Sequence, residues 1–170
     1  MQATISDEEL RELLPRLRRF AQWLTREPSS ADDLVQNCLE RALSRWQSRD
    51  PQASLRAWLF TIMYRQFVDS RRRSNRIQRF FERFQEEPEL APSAEDAVIA
   101  NASLEAFGQL SPDHRAILLM VTVEGFSYQE TADTLGLPLG TVMSRLSRAR
   151  SAYRALTEGE ASPAPLRRIK

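Results

Sequence analysis

Apolar residues recur along this chain at helical spacing, and nowhere do they alternate convincingly as a strand would. From about Ser6, the residues Leu10, Leu13, Leu14, Leu17, Phe20, Ala21 and Leu24 keep a 3.6-residue rhythm, and Pro28 marks where that helix has ended. A second helix is predicted after Ser30, with Asp32 and Asp33 in its first turn, where negative charge complements the helix dipole. Its inward stripe is Leu34 or Val35, then Leu39, Ala42, Leu43 and Trp46, and Asp50 with Pro51 breaks it. A third helix begins near Ser54 and is apolar on nearly every side through Leu55, Trp58, Leu59, Ile62, Met63 and Phe67, which makes it the central helix of this half.

That third helix ends in Arg71, Arg72 and Arg73, followed by Arg76 and Arg79, beside Phe60 and Tyr64 as exposed aromatic candidates. Cations neutralise phosphates, and aromatic rings stack on unpaired bases. A second account stands beside it: cations favour the C-terminal end of a helix, and the aromatics belong to the core. From about Glu82 to Asp96 the composition changes to two prolines and six acids with little apolar periodicity, which reads as a linker. Helix resumes near Ala94 and runs to Leu110. Ser111, Pro112 and Asp113 start another helix with proline in its first position, and Arg115–Glu124 supplies Ile117, Leu118, Met120 and Val121 as core for the helical pair that follows, a helix-turn-helix.

The segment Ser127–Arg154 is the most informative. Ser127 caps a short helix and Glu130 completes a capping box, with Ala132 and Leu135 facing inward. Gly136 follows where a helix end wants a left-handed residue, and Pro138 prevents simple continuation. Thr141 is the predicted N-cap of the next helix, in which Val142, Leu146, Ala149 and Tyr153 form one buried stripe. Four arginines and no acid decorate this helix. The pattern is that of a helix-turn-helix whose second helix enters the major groove by its N-terminal turns, so Thr141, Met143, Ser144, Arg145 and Arg148 are the candidates for base or phosphate contact. An ordinary helical hairpin with a solvated basic face is the plainer alternative.

Composition narrows the class. Of the 170 residues, 42% are hydrophobic and 28% charged, with only 5 glycines, a balance suited to an all-α protein. The formal charge is +1, so DNA binding rests on how charge is distributed rather than on its total. The lone Cys38 rules out an internal disulfide, fits a reducing compartment and sits among apolar neighbours as a packing residue. One histidine, His114, and one cysteine leave no ordinary zinc ligand set, and no phosphate-cradling glycine loop or nucleophile elbow is present. No enzyme chemistry and no cofactor are expected. Neither a signal-peptide pattern nor an apolar run of about 18 residues occurs, so the expected location is the cytoplasm.

Three stretches carry a resemblance over almost the whole chain: ADDLVQNCLERAL, RAWLFTIMYRQFVDSRRR, and LSPDHRAILLMVTVEGFSYQETADTLGLPLGTVMSRLSRAR. They resemble the signatures of the extracytoplasmic-function (ECF) sigma factors of bacterial RNA polymerase. The resemblance implies two small helical domains joined by a flexible linker: residues 1–80 as sigma region 2, 81–102 as acidic linker, 103–158 as the region 4 helix-turn-helix, and 159–170 as a basic tail. It implies a transcription initiation factor whose partners are core RNA polymerase, promoter DNA and an anti-sigma factor. Asp32, Asp33, Gln36 and Asn37 fall in the part of the motif that packs on the polymerase clamp, Asn37 standing where members often carry Glu. Trp58, Phe60, Thr61, Arg71, Arg72 and Arg73 match the surface that captures flipped minus-ten bases, with Arg65 standing where members usually carry Asn. Thr141, Met143, Ser144, Arg145 and Arg148 fall in the helix that reads the minus-thirty-five element. Three other readings are open: a stand-alone helix-turn-helix regulator, a sigma-like module that sequesters an anti-sigma factor, and, more distantly, an enzyme acting on nucleic acid.

Overall fold

The computed structural model describes residues 6–82 and 102–158, and among these every regular element is helical. Helix α1 (Asp7–Thr25) is capped by Ser6, whose hydroxyl accepts from the Glu9 N–H, and it closes on Arg26 in the left-handed region at φ 58°. That reversal releases an extended Glu27, and its carboxylate accepts the N–H groups of Ser29 and Ser30. Helix α2 (Pro28–Ser44) therefore starts at Pro28 rather than after Ser30, because proline fits a first turn whose N–H has no partner anyway. Asp32 and Asp33 lie one turn further in than their sequence position suggests.

On α2 the buried positions are Ala31, Leu34, Val35, Cys38 and Ala42, a spacing that places Leu43 outside, 65% exposed, instead of on the inward stripe. Trp46 leaves the helix altogether for a 3₁₀ turn, Trp46–Ser48, where it is half-buried. Helix α3 (Leu55–Glu82) spans 28 residues, roughly 42 Å at the usual rise, and continues through the arginine run instead of ending at it. Its first half is the hub of the N-terminal core, with Leu59, Phe60 and Met63 wholly buried.

In the C-terminal half, α4 (Ala102–Gln109), α5 (Pro112–Leu118), α6 (Tyr128–Leu135) and α7 (Leu139–Thr157) enclose a second cluster of Leu110, Ile117, Leu118, Ala132, Val142, Leu146 and Ala149. Ser111 caps α5 by accepting the His114 N–H, with Pro112 in the first turn. The expected linker, the helix start at Ala94 and the basic tail fall largely or wholly outside the described residues.

One expectation is corrected by the packing between halves. Met120 does not join the helix-turn-helix core; with Ala116, Leu119 and Phe126 it enters the N-terminal cluster alongside Phe20, Leu24, Leu59 and Phe60. Past this point α5 widens into a π-helical turn, Leu119–Val123, in which the Glu124 N–H donates to the Leu119 carbonyl at 2.9 Å. Ala116, Leu119 and Met120 recur at i, i+3 and i+4 and so share the face turned to the N-terminal core, while Ile117 and Leu118 lie on the face turned to the other.

Candidate nucleic-acid and polymerase interface

The helix-turn-helix is built as its sequence dictates. Ser127 accepts the Glu130 N–H at 3.1 Å while the Glu130 carboxylate accepts the Ser127 N–H at 2.7 Å, completing the capping box. These hydrogen bonds to Ser127, with Arg56 nearby, hold the Glu130 carboxyl below the usual carboxylate range. Gly136 closes α6 at φ 66°. Two threonines that sequence reading passed over, Thr131 and Thr134, are fully buried in α6, and the Thr131 hydroxyl is satisfied by the Ser127 carbonyl at 2.8 Å.

Helix α7 begins at Leu139, so Thr141 lies inside its first turn and is not its N-cap; the cap position belongs to Pro138, with no side-chain hydrogen bond. Val142, Leu146 and Ala149 face inward and Tyr153 is half-buried. The opposite face presents Met143 (53% exposed), Ser144 and Arg148. Arg148 Nε donates to the Ser144 carbonyl at 3.3 Å, which lays its guanidinium back along the helix N-terminal turns. Arg145 is half-buried and near enough to Tyr64 of α3 to act on its hydroxyl electrostatically.

The α3 surface departs from expectation. Phe60 and Tyr64 are not exposed aromatics; they are 0% and 7% exposed. Phe60 is sandwiched between Phe20 of α1, 4.9 Å between centroids, and Phe126 of the C-terminal half, 5.3 Å away. The core account of these rings holds, because α3 is covered on one side by α1 and on the other by the loop before α6. Burial, joined by Asp113, pushes the Tyr64 hydroxyl pKa up. Thr61 is half-buried and its hydroxyl donates to the Ala57 carbonyl at 2.8 Å. Trp58 remains half-buried beside Trp46, with the Arg49 guanidinium 4.9 Å above the Trp46 ring. Arg65, Arg72 and Arg73 are exposed, whereas Arg71 pairs with Asp113 of α5 at 3.7 Å.

On α2, Asp32, Asp33, Gln36 and Asn37 are all exposed, opposite the buried stripe. Asp33, Asn37, Glu40 and Arg41 line one wall of a groove whose other wall is Arg65, Asp69 and Arg73 of α3. Gln66 crosses its floor, donating Nε2 to the Asn37 carbonyl at 3.0 Å.

A set of residues that sequence reading missed fastens the two halves together. The Glu124 carboxylate receives Arg16 Nε and Arg19 Nη2, both at 2.7 Å, and the Glu124 carbonyl receives Arg16 at 3.0 Å and Arg56 at 2.8 Å. Arg56 also covers the Phe126 ring at 4.3 Å. Arg115, 5% exposed, crosses from α5 to the end of α1, donating to the carbonyls of Trp23 at 2.7 Å and Leu24 at 3.0 Å as well as to Gly108 and Leu110. It thus satisfies carbonyls at a helix C-terminus that would otherwise lack donors. Burial, with Arg26 and Arg71 nearby, lowers its pKa to about 10, which still leaves it charged at neutral pH. The only signal in the sequence was the i, i+3 spacing of Arg16 and Arg19; nothing in it says which acid they meet.

Two exposed cationic surfaces on separate helices and a polar α2 face suit a protein that binds other macromolecules. Comparison with known proteins gives this arrangement its family. The model for the Sigma2 domain of PhyR matches residues 10–64, and that for Sigma-70, region 4, matches residues 101–152. The ECF RNA polymerase sigma factor EcfG of Rhodopseudomonas palustris is 36% identical over 144 residues, covering 84% of this chain and 80% of that protein. SigL of Mycobacterium tuberculosis, another ECF RNA polymerase sigma factor, is 36% identical over 148 residues, 81% of this chain and 80% of its own. Among solved structures, the sigma factor RpoE of Bartonella quintana, in complex with the anti-sigma factor NepR, superposes with a TM-score of 0.72 at 33% identity over 90% of this chain and 96% of that one. The chain therefore belongs to the ECF sigma factors, non-enzymatic initiation factors that bind core RNA polymerase and direct it to promoters.

Proposed function

We propose a division of labour among three surfaces. Thr141, Met143, Ser144, Arg145 and Arg148 on α7 read the minus-thirty-five element. Trp58, Thr61, Arg65, Arg71, Arg72 and Arg73 on α3 handle the minus-ten element, with Phe60 supporting that surface from within the core. Asp32, Asp33, Gln36 and Asn37 on α2 engage the polymerase clamp, their exposed carboxylates and amides suiting a basic, polar partner. In this reading the working units are residues 1–80 and 103–158, joined by the acidic segment 81–102 and followed by the tail 159–170. The protein acts in the cytoplasm, where its polymerase is, and no helix among the described residues is long and apolar enough to cross a membrane.

The observation that carries the reading is the two-sidedness of α7. Val142, Leu146 and Ala149 are buried while Met143, Ser144 and Arg148 stand exposed on an acid-free helix beginning at a tight turn. In the arrangement described, Arg71 is engaged by Asp113 and Arg145 lies toward Tyr64, so the halves must part before both surfaces address separate promoter elements. Tethering both to one polymerase then raises their effective concentration at a correctly spaced promoter. An anti-sigma factor that holds the halves together would keep the protein inactive, and the likeness to a sigma factor bound to NepR supports such control.

The test is reconstitution with core polymerase and a promoter. Wild-type protein forms promoter-dependent open complexes. Asp33→Arg loses co-purification with core polymerase while keeping its helicity, and Arg148→Ala weakens promoter binding by about 1–3 kcal/mol. Duplex binding that needs no polymerase would instead mark a stand-alone regulator, and polymerase binding without opening would overturn the minus-ten assignment.

A further inference from the structure

Three arginines of the N-terminal half converge on one residue of the other. Arg16 and Arg19 of α1 hold the Glu124 carboxylate, both at 2.7 Å, and Arg16 with Arg56 of α3 also holds the main-chain carbonyl of Glu124, at 3.0 and 2.8 Å. Two positions on, Phe126 lies against Phe60 and beneath the Arg56 guanidinium. Gly125 between them adopts the left-handed region at φ 67°, and the Glu124 and Phe126 N–H groups are anchored on the carbonyls of Leu119 and Met120, each at 2.9 Å. The segment is a preformed hook, and the surface it enters is a socket walled by arginine and floored by Phe60, with Phe20 packed behind it.

Among the described residues, the acids that meet these arginines, Glu124 and Glu130, both belong to the C-terminal half. When the halves part, Arg16, Arg19 and Arg56 lose their carboxylates together and the cover over Phe60 is withdrawn. Neighbouring cations then repel, and apolar surface returned to water costs about 25 cal/mol per Å². A replacement for the hook has to supply an anion and an apolar ring at a fixed offset. The arginine donors are divided between a carboxylate and the carbonyl of the same residue, a pattern that an acidic residue of a polypeptide offers and a sugar–phosphate backbone does not.

We propose that this socket is a protein-docking site, filled in the open chain by a partner segment that carries an acidic residue and, two positions on, an aromatic ring, in the place of Glu124 and Phe126. The inference rests on the parting of the halves in the proposed function. A partner docked there excludes the chain's own hook and so holds the halves apart.

The experiment uses the full chain and a fluorescein-labelled peptide of residues 120–129, with binding read by anisotropy. Glu124→Gln/Phe126→Ala releases the chain's own hook; Glu124→Gln alone, which keeps the ring contact, is assayed beside it so that a folding defect in the double variant does not decide the outcome. The expected result is saturable peptide binding by the released chain, about tenfold weaker when the peptide carries Glu124→Gln, the scale of a charge-assisted hydrogen bond. Adding Arg16→Gln/Arg19→Gln abolishes it. The free wild-type chain, its socket filled by its own hook, binds the peptide at least about tenfold more weakly than the released chain, whereas wild-type holoenzyme on a promoter binds it as the released chain does. Equal binding of the two peptides overturns the proposal, as does binding that survives the loss of Arg16 and Arg19. Displacement of the peptide by an equimolar duplex lacking promoter sequence would reveal a phosphate site and overturn it too, and wild-type dimers that block the peptide would place a second copy in the socket with the same result. Exclusion of the peptide from an active wild-type holoenzyme also overturns it, because the socket would then never fall vacant. If wild-type holoenzyme forms no promoter-dependent open complex, the proposed function fails, and the released chain's preference for the glutamate peptide still decides the socket.

Discussion

Glu124 is held by Arg16 at 2.7 Å with its own side chain 1% exposed, although the two residues lie in opposite halves of the chain. The pair is asymmetric: the carboxylate is sequestered, while Arg16 and its companion Arg19 keep 33% and 47% of their side chains in solvent. Burying a carboxylate is tolerated only when charge-assisted hydrogen bonds replace its water. Glu124 therefore makes the junction between the halves specific: misaligned packing would strand its charge.

Glu124→Gln should lower the unfolding free energy by about 2 kcal/mol, the scale of hydrogen bonds to a charged group. A double-mutant cycle with Arg16→Gln in denaturant unfolding checks the origin of that loss. Coupling of at least about 0.5 kcal/mol is expected for groups in direct contact, and simple additivity would disprove the assignment.

Phe126 is 3% exposed against Phe60 and beneath Arg56. Truncating a buried phenylalanine costs about 3–5 kcal/mol where the structure cannot relax. Here the halves can separate instead of retaining a cavity, so Phe126→Ala should loosen their association more than it unfolds either one. Small-angle scattering should show a larger radius of gyration with helicity preserved; an unchanged radius would mean the junction does not depend on this ring.

Hydrogen bonds from the Ser29 and Ser30 side chains and the Ser30 N–H draw the Glu27 carboxyl pKa down to about 2. In the unfolded chain it titrates near the ordinary value of about 4.3. Its stabilising effect is thus complete above that pH and disappears as pH falls toward 2. Thermal unfolding of wild type and Glu27→Gln should differ at pH 7, with wild type the more stable, and converge as pH approaches 2.

Cys38 is wholly buried, its thiol donating to the Leu59 carbonyl at 3.4 Å, and burial raises its pKa to about 12. Thiolate is the reactive form, so alkylation of the native protein at pH 8 should run about a hundredfold or more slower than for a free thiol. Reaction at the rate of unfolded protein would show that this core opens readily.

Local and periodic features were legible before any coordinates. The capping box at Ser127 and Glu130, the left-handed Gly136 and the buried stripe of Val142, Leu146 and Ala149 are each set by residues within a few positions of one another. The exposed face of α2 followed from the same arithmetic. Its start was misjudged because Glu27, an uncommon N-cap, does the work ordinarily left to a serine. Leu43 was misplaced because Ala42 fills the inward position, a choice that depends on how closely α2 approaches its neighbours.

Periodicity could establish that α3 is apolar on nearly every side, but not which partner covers each side. The sequence therefore leaves Phe60 and Tyr64 open between a stacking surface and the core, and the structure decides for the core, where Phe20, Phe126 and the adjoining helices enclose them. The sequence by itself determined the helices, the capping box at Ser127, the Gly136 stop and the cationic faces of α3 and α7, since these depend on contacts between near neighbours. The joining of the halves through Glu124, Arg115 and Met120, across separations of up to 108 residues, was decided only by the tertiary structure. A charge or an apolar side chain shows in sequence that it needs a partner; only the folded chain determines which one lies within reach.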